Sequence, residues 1–533
     1  MEKEITTQHE VVDEKHVTQV KTIRGTEAFN EAKLKEPPSA FNTRAFILYF
    51  SCLIGFFCST ANGYDGSLLN ALLANNQFKE FFDVRNKGIW AGIVTSMYQI
   101  GSVVALPFVG PCIDTLGRRA GMFCGAAFII AGTIVQGACI QTGSRDQFMG
   151  GRFLLGFGVS IASSAGPMYV VEVSHPAYRG VTTALYNTFW FTGSIIASGA
   201  ARGALNLGGN SQWLVPVWLQ LLFSGLIVIF CFFLPESPRW LFVNNKRDQC
   251  KKILAYYHGN GNEDSEWVKL QLREYEEYLE MNGADKRWWD YRALFRDRPS
   301  IYRIGCNIVI SIYGQWAGNA VLSYFLSAVL DSAGITNETT QLNINLGLAC
   351  LQFVVAMSGA ACVDLLGRRF LLLFTNIGCS VIWIGMTVAT SQFSETESSA
   401  AAKASLAMIY MFGIVYSFGF TPLQALYPVE VLSFEMRAKG MAFSSFSLNA
   451  AMLLNQFAWP VSLDRIGWKT YIVFVIWCAF QAITIYFFIP ETRNRTLEEL
   501  DDIFKSKNPR KASTEVKKLH LDAHGDVVDI HGA

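Results

Sequence analysis

Blocks of about twenty apolar residues, the length that carries an α-helix across roughly 30 Å of hydrocarbon, recur along almost the whole chain. Their cores fall at 45–68, 89–109, 120–140, 150–172, 181–203 and 213–234, then at 304–329, 342–363, 370–391, 404–428, 441–462 and 470–489. The charge content agrees, at 16% against 51% hydrophobic residues, where soluble domains carry about 25% charged. A chain so patterned is expected to be an all-α membrane protein of twelve transmembrane helices.

The polar stretches give the organisation. Residues 1–44 lack an apolar signal region and read as a disordered N-terminal tail. An N-terminal half at 45–236, a polar insert at 237–300, a C-terminal half at 301–490 and a tail at 491–533 follow. The insert stretch SEWVKLQLREYEEYLE has the spacing of amphipathic surface helices. Arg118-Arg119, Arg179, the insert, Arg368-Arg369, Arg437 and the tail lysines fall in alternate connections, whereas 331–341 has no Lys or Arg. The positive-inside rule then places both termini and the insert in the cytosol. Asn337, in an Asn-Glu-Thr triplet of the opposite loop, is an expected glycosylation site. The cysteines sit mostly inside apolar blocks without metal-ligand spacing and read as packers, with no metal site.

The chain repeats itself. Asp114-x-x-Gly117-Arg118-Arg119 recurs as Asp364-x-x-Gly367-Arg368-Arg369, Glu172/Arg179 as Glu430/Arg437, and Pro235-Glu236-Ser237 as Pro490-Glu491-Thr492. A common offset of about 250–260 residues means two six-helix halves related by duplication, the architecture of transporters that rock about a midplane site. The paired charges, with Arg239 and Arg369 beside them, are expected to form a cytosolic latch between the halves.

One acid stands inside the first block, Asp65 in Gly63-Tyr64-Asp65-Gly66. A carboxylate in a hydrophobic span is costly, and persists where it pairs, lines a watery cavity or moves a proton.

Taken together, Gly110…Asp114…Gly117-Arg118-Arg119, Gly150-Gly151-Arg152-Phe153, Pro167…Glu172…Arg179-Gly180, PESPRWL at 235–241 and PETRNRTLEEL at 490–500 resemble the sugar-porter branch of the major facilitator superfamily over about 45–505. The resemblance implies the major facilitator fold, with Asp65 near Arg152 of the fourth helix as the proton-coupling pair. An adjacent Arg favours the charged carboxylate and burial disfavours it, so small rearrangements can switch its protonation.

Sugar recognition needs amides and hydroxyls with apolar faces between them. Candidates are Asn187, Gln315, Trp316, Asn319, Tyr324, Gln352, Gln424, Asn449, Asn455 and Gln456, of which about a third are expected to be interhelical glue. Gly314 stands where the family carries a first Gln, Asn187 where many hexose porters carry Gln, and Ala425 where a stacking Trp is expected. The Ala425 and Asn187 departures enlarge the expected cavity, and together with QWAGNA and TPLQALYPVE they resemble the fungal lactose-permease and cellodextrin-transporter branch.

The resulting expectation is a monomeric plasma-membrane symporter, not an enzyme. It would carry a sugar, first a disaccharide such as lactose or cellobiose, with a proton as coupling ion. A hexose or pentose carrier, a facilitative uniporter and a non-transporting sugar sensor are the alternatives. The near balance of 44 basic and 43 acidic residues gives no bias toward nucleic acid, and a GxxxxGK[ST] loop for ATP is absent from the sequence.

Overall fold

Away from water, a spanning segment must satisfy its own amides and carbonyls, and the helix ladder does so within one segment. The computed structural model describes residues 32, 35–38, 41–83, 88–282, 292–432, 437–493, 497–514, 517–521 and 527–532. The first half comprises α1 (Thr43–Ala74), α2 (Ile89–Leu116), α3 (Arg118–Thr142), α4 (Arg145–Val173), α5 (Arg179–Ala204) and α6 (Ser211–Phe233). The second comprises α7 (Arg298–Trp316 and Asn319–Ser332), α8 (Glu338–Leu366), α9 (Arg368–Thr396), α10 (Ser399–Val431), α11 (Arg437–Ile466) and α12 (Thr470–Phe488). Nine stretches among the described residues are long and apolar enough to cross a membrane, the last running through both α11 and α12. The helices outside that set are α5 and α7, which carry Asn187, Gln315 and Asn319.

Two blocks expected as single spans are interrupted. In α6 the Gln220 amide donates to the Val217 carbonyl and the Leu222 amide to Leu219, so the helix winds 3₁₀-tight at the Leu219-Gln220 turn. α7 breaks at Ala317-Gly318, where Gly318 takes φ +107°, a left-handed conformation that a side chain resists. The Trp383 indole covers the break and donates to the Ala317 carbonyl at 3.0 Å.

Contacts divide the chain into two compact units. The larger (53–170, 183–234 and 287–533) holds the bundle, with a core from Leu68, Phe78 and Trp213 through Trp383, Phe420 and Phe474. Large apolar side chains face outward, among them Phe233 at 80% and Ile476 at 65% exposure, which suits a surface bathed in acyl chains and not in water. The C-terminal tail is more structured than a plain tail. Helices Leu497–Lys505 and Pro509–Thr514 precede a short antiparallel hairpin, β1 (Lys517–Leu521) with β2 (Val527–Gly532). Arg303 of α7 is buried, donates to the Val431 carbonyl at 2.7 Å, pairs with Asp501 and stacks 4.3 Å from the Phe504 ring.

The smaller unit spans 1–52, 171–182 and 235–286. Helices Pro238–Val243, Arg247–Tyr257 and Glu266–Asn282 close over Leu241, Phe242, Cys250, Leu254, Val268 and Tyr275, and the last covers the stretch read as amphipathic. Part of the expected disordered tail is anchored here. The Glu36 carboxylate accepts from the Ser265 hydroxyl and the Glu266 amide at that helix's first turn, where the dipole favours an anion. The Trp267 indole donates to the Glu36 carbonyl at 2.8 Å and the Tyr178 hydroxyl to Pro38 at 3.1 Å. Residues 1–31 lie outside the described residues.

Candidate functional site

Small residues bring the helices around Asp65 into backbone contact. A Cβ at Gly63 of α1 would lie 1.9 Å from the Trp190 carbonyl oxygen of α5, and one at Gly156 of α4 the same distance from the Tyr98 carbonyl oxygen of α2. Close approach of this kind is how helices pack when lipid offers no hydrophobic drive. It buries Asp65 and Arg152 together, at 1% and 2% exposure.

Their geometry is not a simple ion pair. Arg152 Nη1 donates to the backbone carbonyl of Asp65 at 3.2 Å, and its guanidinium lies 4.9 Å from the Tyr98 ring. Asp65 Oδ2 and Arg152 Nε have no hydrogen-bond partner among the described residues. The electrostatic neighbours of Asp65 are Arg152 and Gln220, while Tyr98 and Tyr324 face Arg152. The Tyr98 hydroxyl is anchored on Asn62 at 3.1 Å and the Tyr64 hydroxyl on the Pro216 carbonyl at 2.8 Å. Tyr324, a sugar-site candidate from the sequence, belongs to the electrostatic surroundings of Arg152, so α7 of the second half lies within range of the charged centre of the first.

The remaining candidates differ in how far protein groups occupy them. Asn455 Nδ2 donates to the Gln315 carbonyl at 2.8 Å and its oxygen accepts from the Trp459 indole. Trp316 donates to the Ala451 carbonyl at 3.1 Å. Asn449 donates to the Ser445 carbonyl and accepts from Gln99, and Asn319 accepts from Ser323 at 3.3 Å. Those four join helices or brace their own helix. By contrast, Gln424 Nε2 and Gln456 Oε1 are buried without a partner among the described residues, the Gln315 side chain is buried and Gln352 half-buried. Asn187 is exposed, on the stripe of α5 that carries Phe191, Ser194 and Ser198.

Gly314 does not open space. A Cβ there would meet Phe420 at 2.8 Å and the Gln424 amide at 3.0 Å, so α10 fills what the missing side chain leaves. Tyr416, in the stack Phe412–Tyr416–Phe420, donates to the Gly314 carbonyl at 2.6 Å and fixes α10 on α7. The side chains of Ala425, Asp364 and Arg437 lie outside the described residues.

Each basic turn makes contacts within its own half. Arg368 grips Glu430 with Nε and Nη2 at 2.6–3.1 Å. Glu491 accepts from the Arg368 and Arg369 amides at 2.9 and 3.1 Å, capping the orphan donors of α9. Arg118 pairs with Asp114 at 3.3 Å, and Arg119 donates to the Cys231 and Phe232 carbonyls at the end of α6. In the smaller unit, Ser237 donates to Glu172 and its amide to Glu236 at 2.9 Å, and Arg179 and Arg239 lie near Tyr275. Asn337 is exposed and caps α8, accepting from the Thr340 amide at 3.0 Å.

At the far face, opposite the basic turns, the halves meet. Asn70 of α1 accepts from the Leu326 amide at 3.1 Å and donates to Asn345 of α8 at 3.2 Å, and Asn345 donates to Ser198 of α5. Leu326 follows Phe325, whose φ −128° and ψ 26° leave the helix, so Asn70 takes up a donor freed by the kink. Sequence reasoning missed Asn70, Tyr98, Gln220 and Tyr416. Gln220, a lone amide in an apolar run, carried the same signal as Asp65.

Known proteins extend this picture. Residues 51–504 match the family model described as sugar (and other) transporter. A high-affinity glucose transporter of Kluyveromyces lactis is 26% identical, covering 89% of this chain and 87% of that one. A quinate permease of Neurospora terricola is 27% identical over 88% and 90%. The inward-open structure of the xylose transporter XylE from E. coli superposes with a TM-score of 0.71 at 17% identity, covering 86% of this chain and 99% of that one. The fold is therefore that of the major facilitator superfamily, and the protein is a membrane transporter and not an enzyme. Within that class, the chain belongs to the sugar (and other) transporter family.

Proposed function

We propose that the protein imports a sugar together with a proton by alternating access, Asp65 being the proton carrier. The observation that carries this is the buried Asp65 carboxyl, which has an oxygen without a partner while Arg152 is held on the backbone carbonyl beside it. An acid so placed can gain or lose a proton without dismantling the helix packing. Tyr324 links the state of Arg152 to α7, whose Gln315 carbonyl is held by Asn455 of α11 and whose Gly314 lies against Gln424 of α10, so protonation and sugar binding share one helix. With the basic turns on the cytosolic side of the plasma membrane, the closed far face makes this an inward-facing conformation. Outward opening would part Asn70 from Leu326 and Asn345.

For the cargo, the disaccharide reading rests on Asn187, Gly314 and Ala425. The Phe420 and Gln424 side chains that occupy the Gly314 position favour a single-ring polyol, as do relatives named for glucose and quinate. The deciding experiment is uptake of labelled glucose, xylose, quinate, lactose and cellobiose by transporter-null yeast, with and without a protonophore. Accumulation that collapses with protonophore is expected; uptake insensitive to it removes the symport reading. Preferred uptake of lactose or cellobiose would restore the wide cavity.

A further inference from the structure

Gln136 of α3 is fully buried, and neither its Nε2 nor its Oε1 has a hydrogen-bond partner among the described residues. Leaving an amide unsatisfied in such surroundings costs about 1–3 kcal/mol, and a leucine would pack there without that cost. Interhelical glue is bonded to the next helix; this residue is not. A second amide, Gln220 at the tight turn of α6, is 1% exposed and lies against the Asp65 side chain. Thr133, one turn before Gln136 on the same face of α3, is fully buried and meets Gln220 Oε1 at 3.5 Å.

The row continues toward the far face. Gln136 lies over Gly151 of α4, where a Cβ would come within 2.6 Å of its Cγ, and Arg152 is the next residue. Gln147, one turn before Gly151, donates to the Val135 carbonyl at 3.2 Å and accepts from Thr142 at 2.6 Å. Thr142 is exposed at the end of α3. Thr142, Gln147, Gln136, Thr133 and Gln220 thus form a file of polar groups from the surface to Asp65, between α3, α4, α6 and α1. It runs through the first half alone, apart from Gln315, Gln424 and Gln456.

We propose that this file is a hydrated proton path, by which Asp65 exchanges protons with the far face along a route separate from the sugar's. The proposal rests on Asp65 being the proton carrier. Amides that the protein leaves unpaired are satisfied by water, which needs two to four polar partners. A proton entering at Gln147 passes along that water to the Asp65 carboxyl, the file itself staying neutral. The charged and titratable groups facing Asp65 are Arg152 of α4, Tyr98 of α2 and Tyr64 of its own helix, with Tyr324 of α7 facing Arg152 and Tyr98. The path lets Asp65 load from the far face while the Asn70 contacts keep that face closed to sugar.

The test uses full-length protein in proteoliposomes and the panel sugar that the parent accumulates fastest. Gln136→Leu and Thr133→Val remove the polar groups while keeping volume. Proton-driven accumulation is expected to slow about tenfold at neutral outside pH, equal to ~1.4 kcal/mol of barrier. It should recover as the outside is acidified, while equilibrium exchange of sugar stays at the parent rate. Unchanged accumulation and pH profile in both variants overturn the path, and so does parallel loss of exchange and accumulation in both. If Gln136→Leu does not fold, Thr133→Val decides alone. Asp65→Asn separates the two readings: if it leaves accumulation intact the proton-carrier reading itself fails. If it abolishes accumulation while the file variants are silent, only the path fails.

Discussion

Arg152 holds Asp65 by its backbone carbonyl, at 3.2 Å, and leaves a carboxyl oxygen unpartnered. An arginine that binds the main chain keeps its place whether the acid is charged or neutral. Asp65→Asn should therefore fold and reach the membrane as the parent does. It should lose accumulation against a gradient while retaining exchange, read by counterflow and by pH-driven uptake in the same vesicles. Unaltered accumulation would retire Asp65 from the mechanism.

Gln315 and Asn455 are joined by one hydrogen bond but should fail differently. On the proposed function the Gln315 side chain meets cargo, so Gln315→Ala should raise KM for sugar with normal surface expression. Asn455 spends both ends on protein groups, at the Gln315 carbonyl and the Trp459 indole. Asn455→Ala should cost about 1–3 kcal/mol of stability, seen as a lower melting temperature in detergent. Reversed phenotypes would exchange the two assignments.

Asn70→Ala should weaken closure of the far face. It strands the Leu326 amide at the Phe325 kink and breaks the link to Asn345, together worth roughly 1–3 kcal/mol. The expected readout is faster labelling of a Leu342→Cys reporter, whose native side chain is 1% exposed, by a membrane-impermeant thiol reagent. Equal labelling in both backgrounds would mean that Asn70 does not hold the gate.

His258 gives the smaller unit a pH dependence. Its Nε2 donates to the Val173 carbonyl at 3.0 Å and its Nδ1 accepts from Gln271 at 2.8 Å, which specifies the neutral ring. Burial, with His175 beside it, pushes His258 down to about 3, and burial pushes His175 down to about 4. An unfolded histidine takes its proton near 6.5. The stabilising contribution is thus fully present above that pH. It is lost as pH falls toward the folded values, at about 1.4 kcal/mol per unit for each histidine. Hydrogen exchange of Arg247–Tyr257 and Glu266–Asn282, corrected for intrinsic rates, should show less protection at acidic than at neutral pH. Equal protection would contradict the burial of the pair.

Much of the charged chemistry was legible because lipid makes a buried charge conspicuous. Asp65 and the Arg368/Glu430/Glu491 group stood out from the sequence, and the fold packs each among the expected helices. The sugar candidates were less legible. An amide that joins two helices and one that faces a cavity look alike in sequence, and Asn455 and Trp316 proved to be joined while Gln424 Nε2 and Gln456 Oε1 have no partner among the described residues. Gly314 shows the same limit: the sequence records a lost side chain, but Phe420 of a distant helix sets whether space remains.

The sequence by itself determined the all-helical build, the duplicated halves and the family, because apolar length and repeated motifs are local properties. Only the tertiary structure decided which buried polar groups are paired. That depends on how closely α1 meets α5 at Gly63 and α2 meets α4 at Gly156, and on where α7 breaks at Gly318. A hydrogen bond needs its partner within about 3 Å, and residues from separate helices acquire that proximity only on packing.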